Sequence, residues 1–121
     1  LALYGQGKTR GKCAVLGLDA TINQACCAMV PKDPRSSTFL FGFLKQSYFR
    51  LRGESRGGNQ ENLNMGIVRR FPVPFPPIYL QQRFAAIVDS VEQQKAQQRA
   101  HLDELDTLFA SLQSRAFRGD L

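Results

Sequence analysis

Ile78-Tyr79-Leu80-Gln81-Gln82-Arg83-Phe84-Ala85-Ala86-Ile87-Val88-Asp89-Ser90-Val91 opens the stretch that decides the fold of this 121-residue chain. From Ile78 to Phe117 there is neither proline nor glycine, and Gln, Ala, Leu, Glu and Arg, mostly good helix formers, dominate. Phe84, Val88, Val91, Lys95, Gln98, Leu102, Leu105, Phe109, Leu112 and Ala116 recur at alternating intervals of four and three. That spacing puts them on one helix face as a heptad seam, apolar at both ends and polar at Lys95 and Gln98. About 40 residues rising 1.5 Å each predict a rod of roughly 60 Å. Gly119 is placed to end it, with Arg115 and Arg118 suited to the negative end of the helix dipole. A small head cannot cover so long a seam. A helical partner, in this chain or another, is therefore expected against Phe84, Val88, Val91, Leu102, Leu105, Phe109 and Leu112.

Upstream, Phe71-Pro72-Val73-Pro74-Phe75-Pro76-Pro77 must be extended, because each proline disfavours helix at the residue before it. It suits an edge strand or a packed polyproline segment. Asn59-Gln60-Glu61-Asn62-Leu63-Asn64 reads as a polar loop with capping chemistry, and a short helix or turn can follow over Met65-Gly66-Ile67-Val68. Further back, Phe39, Leu40, Phe43, Leu44, Tyr48 and Leu51 recur at three and four residues. They predict one amphipathic helix, capped by Ser36 or Ser37 and running to about Arg52 before Gly57-Gly58 breaks the chain. Cys13–Leu18 and Ala25–Val30 read as buried strands, with Asn23-Gln24 available for a turn, although helix stays open for runs this short. The expected architecture is α+β: a small, partial α/β head over residues 1–77, then one long coiled-coil-type helix over residues 78–118.

The chain is large enough for one modest core, and no apolar run approaches the roughly 18–20 residues of a membrane span. Leu1 is not an initiator Met, and the start lacks a basic region and an apolar core, so no signal peptide is expected. The abrupt apolar start suggests excision from something longer. Cys13, Cys26 and Cys27 form no CxxC pair and the sole histidine is His101, so no metal site is expected. The cysteines read as small buried side chains in a reducing cytoplasm. Net charge is +6, and its whole excess lies in the first half. Residues 1–57 hold nine Lys and Arg against Asp19, Asp33 and Glu54, whereas the rest holds seven of each sign. A basic half joined to a neutral half suits a polyanion-binding head on a protein-contacting stalk.

Ala2–Thr9 loosely matches a phosphate loop, but no strand precedes it and an apolar β-like run follows where a helix is required. With one histidine and no Ser or Cys nucleophile paired to it, no catalytic residues are assigned. If the polyanion bound by the basic half is DNA, two kinds of contact are separable in the head. Lys8, Arg10 and Lys12, flanked by Gly7 and Gly11, and also Arg50, Arg52 and Arg56, are candidate phosphate contacts. Asn59 and Gln60 carry the amide pairs suited to adenine edges, and Thr9 suits either role.

Five features stand in a distinctive order: Gln6–Lys12, Asn23–Cys26, Gly58–Asn64, Phe71–Pro77 leading into Gln81–Asp89, and the ending Ser114–Leu121. Together they resemble the specificity subunit of type I restriction–modification enzymes, essentially over the whole chain. The resemblance implies target-recognition domains of α/β character, each followed by a long helix. The paired helices would lie antiparallel, set the distance between two halves of a split DNA target, and dock methyltransferase subunits. Those subunits would bind S-adenosylmethionine, and a separate restriction motor subunit would cleave, so this chain would need no cofactor. A full subunit has two domains and two helices where this chain has one of each, and its head looks short on the N-terminal side. Two copies pairing antiparallel would restore the arrangement. A competing reading is a fragment that dimerises through its helix without binding DNA.

Overall fold

The computed structural model describes residues 1–5, 7–55 and 62–120. A 3-10 turn at Pro34–Ser36 leads into α1 (Ser37–Gln46), α2 (Tyr48–Gly53), α3 (Met65–Arg70) and α4 (Ile78–Arg118). The chain divides into two compact units, residues 1–83 and 84–121.

The first unit is organised around its opening residues. Leu1 and Leu3 pair with one side: Leu3 N–H donates to the Ala25 carbonyl at 2.8 Å, and Cys27 N–H to the Leu1 carbonyl at 2.8 Å. Ala2 pairs with the other: its N–H donates to the Lys12 carbonyl at 2.8 Å, and its carbonyl accepts from Gly11 N–H at 2.9 Å. Leu63 N–H then reaches the Leu3 carbonyl at 3.0 Å, bringing in the segment that leads to α3. Leu3, Cys27 and Leu63 form one buried cluster; Leu44, Leu51 and Phe71 form a second, and half-buried Leu1 and Met29 pack against both.

The expected sheet is absent among the described residues. The only β pairing there is a single antiparallel bridge, Ala2 to Cys26. Cys13–Leu18 and Ala25–Val30 are therefore not strands, and they are not buried as units: Val15, Leu16, Leu18 and Val30 all lie largely exposed. A strand is held by the ladder beside it, and these runs meet backbone partners at isolated points only. Among the described residues, the head's regular elements are all helices, and the α/β character expected of it is not seen. Cysteine burial follows the same bridge: Cys27 points into the core, Cys26 points out, and Cys13 is half-buried.

The amphipathic face of residues 39–51 is present but divided at Ser47, whose ψ of 6° departs from helical geometry. Hydrogen bonds to Phe43 from Ser47 and to Ser47 from Leu51 carry the chain across the break. The capping also differs from expectation. Ser36 makes no side-chain cap, whereas Asp33 accepts from Arg35 N–H at 2.9 Å and caps the preceding 3-10 turn. The Arg35 guanidinium completes an ion pair at 2.7 Å, and its hydrogen bonds hold the Asp33 carboxyl below the usual carboxylate range. Asn64 caps α3 by accepting from Ile67 N–H at 2.9 Å.

The proline segment is packed and extended, without a ladder. Phe71 is buried against Phe43, with ring centroids 6.3 Å apart, and Phe75 meets Phe39 edge-on at 6.4 Å. At the start of α4, buried Gln81 donates its side-chain amide to the Pro76 carbonyl at 2.7 Å, which stitches the helix onto the prolines. The long helix expected from the heptads is present, 41 residues in one element. It ends in a Schellman turn: Gly119 at φ 77°, Asp120 N–H to the Arg115 carbonyl at 2.9 Å, and Gly119 N–H to the Ala116 carbonyl at 3.1 Å.

Leu51 is fully buried between α1 and Phe71, so Leu51→Ala leaves a cavity. We expect it to cost about 2–5 kcal/mol in urea unfolding monitored by circular dichroism. Leu18→Ala, at a largely exposed site, should leave the midpoint within error.

Candidate DNA-contact surface

Lys8 and Thr9 stand at the surface on the turn that spans residues 7–11, and Lys12 stands at the surface directly after it. The turn is closed internally by Lys12 N–H to the Thr9 carbonyl at 3.0 Å and anchored to Ala2 on its far side. Two residues of α2 hold its outer edge. The Tyr48 hydroxyl donates to the Lys8 carbonyl at 2.9 Å, and Arg52 donates to the Arg10 carbonyl at 2.9 Å. The Arg52 guanidinium also lies over the Tyr48 ring, 5.3 Å from its centroid. Gly11 makes this close approach possible. At φ 83°, an added Cβ would come within 3.3 Å of Arg52 Cγ and 3.5 Å of the Tyr48 ring.

The expected basic residues thus divide by position. Lys8 and Lys12 present their ammonium groups to solvent, and Thr9 stands between them. Arg10 is buried, at 6% exposure. Arg52 spends its guanidinium on the loop backbone. Arg50 is exposed, yet it donates to the Pro72 carbonyl at 3.2 Å and lies 4.5 Å over the Phe71 ring, clamping α2 to the proline segment. Arg56, Asn59 and Gln60 lie outside the described residues. Lys45, on α1, joins the surface beside the turn. The sequence pattern marks residues 39–51 as a packing face and carries no signal for Tyr48 as a loop anchor or for Lys45 beside the turn. Their roles depend on a 40-residue separation in the chain being closed by folding, as the Tyr48–Lys8 hydrogen bond spans.

Beyond the turn, residues Lys12 to Leu16 form no helix, so among the described residues no helix N-terminus follows the loop as nucleotide binding there would require.

The second unit carries the other candidate surface. Within this single chain, Val91, Leu102, Leu105, Phe109 and Leu112 are exposed, Phe84 is just over one-third exposed, and Val88 is half-buried. Ile87 and Leu108, each one position before a seam residue, are also exposed and widen the apolar stripe on one side. Neither falls on the four–three rhythm, so heptad spacing by itself does not mark them. At the polar centre, Lys95 pairs with Glu92 at 2.7 Å along the helix.

The turn's geometry has a measurable consequence. Gly11→Ala combines a left-handed φ with a tight contact and should cost roughly 1–2 kcal/mol in thermal unfolding. Gly7→Ala, at φ 73° with open space around it, should cost less, and Gly17→Ala, also in open space, should cost least.

A comparison with known families matches residues 3–107 to the type I restriction modification DNA specificity domain. No solved structure matches the chain. The match spans the head and most of α4, covering the basic turn, the proline segment and all but the end of the heptad seam. This chain belongs to the family of type I restriction modification DNA specificity domains.

Proposed function

We propose that this chain is a DNA-recognition and scaffold module of a type I restriction–modification complex, with a DNA-contacting head and a helix that assembles it. The observation that carries the reading is the row of exposed apolar side chains on α4, joined in one chain to a basic head. Large apolar side chains repeated at heptad spacing are stabilised by burial against another helix. A helix of 41 residues with such a seam is suited to holding a head at a set distance. The family match supplies the DNA-specificity context.

In this reading Lys8, Thr9 and Lys12 contact the sugar–phosphate backbone directly. Arg10, Arg50 and Arg52 serve that surface by fixing its shape, and Arg50 also offers its exposed edge. Arg56, Asn59 and Gln60 stand as further DNA contacts. Phe84, Val88, Val91, Leu102, Leu105, Phe109 and Leu112 pack against a helical partner. That partner is a second copy of this chain, antiparallel, or a helix of the methyltransferase subunits, which carry S-adenosylmethionine and the chemistry. A restriction motor subunit joins the same assembly. The cytoplasm, where Cys13, Cys26 and Cys27 stay reduced, is its compartment. Antiparallel pairing would bring two heads into twofold symmetry and favour a palindromic split target.

The deciding experiment is light scattering on a size-exclusion column, with and without the cognate methyltransferase subunit. We expect a defined complex with that subunit, its stoichiometry reporting whether two copies of this chain replace a two-domain subunit. A chain that dimerises but ignores the methyltransferase would favour the coiled-coil fragment. Replacing Leu105 and Leu112 by Gln should abolish association while circular dichroism of the head is retained; an unchanged mass would sink the seam as an interface. Replacing Lys8 and Lys12 by Gln should weaken binding to duplexes of every sequence and lower the salt slope by about 1.8, two phosphate contacts' worth.

A further inference from the structure

Beside the basic turn lies a recess of about 420 Å³ that the turn alone does not account for. Lys12 and Cys13 form one wall, and Lys45, Gln46, Tyr48 and Phe49, from the α1–α2 corner, form the other. The volume falls within the roughly 300–1,000 Å³ of small-ligand sites. Its lining has two lysines and no carboxylate. Phe49 is the unexplained member. It is 82% exposed, so it contributes little to the core, yet its neighbours restrain it. Its ring meets Tyr48 edge-on at 5.0 Å and 76°, and Tyr48 is itself pinned by its hydroxyl to the Lys8 carbonyl. An exposed aromatic ring held by its neighbour, in a recess also lined by two lysines, suits a nucleotide of duplex DNA: cations towards the phosphate, the ring against the base edge.

We propose that this recess takes the phosphate of one nucleotide of duplex DNA between Lys12 and Lys45, with the base edge in contact with the Phe49 ring. The occupant is chosen by charge. Residues 1–57 carry the chain's entire positive excess, and of their three acids Asp33 is already paired with Arg35. The α4 stripe, by contrast, lies in a half of the chain with seven charges of each sign and suits a protein partner. Phe49 then adds an apolar base contact to a surface otherwise made of phosphate contacts, which by themselves carry no sequence information. The inference rests on the head being DNA-contacting, and its test separates the two ideas.

The full chain is titrated into a fluorescein-labelled duplex of mixed sequence, and anisotropy is followed between roughly 50 and 200 mM salt. Phe49→Ala is expected to weaken binding about tenfold with the salt slope unchanged, and Phe49→Tyr to retain affinity. Lys45→Gln should lower the salt slope by about 0.9. Phe117→Ala, which removes an equally exposed phenylalanine on α4, should leave affinity as it was. Because Phe49 is largely exposed, its loss should not unfold the head, and a melting curve for each variant checks this. If the parent chain binds duplex but Phe49→Ala and Lys45→Gln bind like it, the recess is not a nucleotide site while the DNA reading of the head stands. If the parent chain does not bind duplex at all, both fall.

Discussion

Leu1-Ala2-Leu3 is hydrogen-bonded on both of its edges, and the rest of the head depends on that. One edge takes the segment at Ala25–Cys27, the other takes the turn at Gly11–Lys12, and the Leu3 carbonyl adds Leu63. Three parts of the chain far apart in sequence are thereby fixed around one short extended piece. Their side chains then complete the core. Leu3, Cys27 and Leu63 close one cluster, and Leu1 and Met29 carry packing across to Leu44, Leu51 and Phe71. Backbone groups buried among these apolar residues are costly without partners, so the pairing and the burial support each other.

The basic turn inherits its geometry from this arrangement. Ala2 holds it from within, while Tyr48 and Arg52 hold it from outside, through carbonyls rather than side chains. Two of the arginines that look from composition like DNA contacts thus have a prior commitment: Arg10 is buried and Arg52 braces the loop. A guanidinium with several fixed donors is well suited to bracing backbone carbonyls, whereas lysine is a flexible point charge. The division of labour between bracing Arg and outward-facing Lys follows from that chemistry.

The helix α4 obeys a different physics. Its first turn is tied to the prolines through Gln81 and its last turn is closed by Gly119, so its ends are set locally. Its middle has an exposed apolar stripe broadened by Ile87 and Leu108, interrupted by the Glu92–Lys95 pair. Intrinsic propensity and backbone hydrogen bonds suffice to describe the helix itself, while the stripe is a feature that only association would bury.

The sequence by itself determined the elements whose stabilising forces are local. Heptad spacing, absence of breakers and a terminal glycine specify α4; Asn64 specifies the start of α3; the prolines specify an extended 71–77. It also placed the charge asymmetry, and its ordered motifs pointed to the family that the match over residues 3–107 established. Tertiary structure alone decided what depends on distant partners. Cys13–Leu18 and Ala25–Val30 have strand-like composition, but a strand exists only where a ladder meets it, and among the described residues pairing is limited to the Ala2–Cys26 bridge. The same holds for Arg10, whose burial is set by packing in three dimensions. It holds also for the recess formed by Lys12, Lys45 and Phe49, because closing the chain between the turn and α2 is an outcome of the whole core and not of any local run of residues.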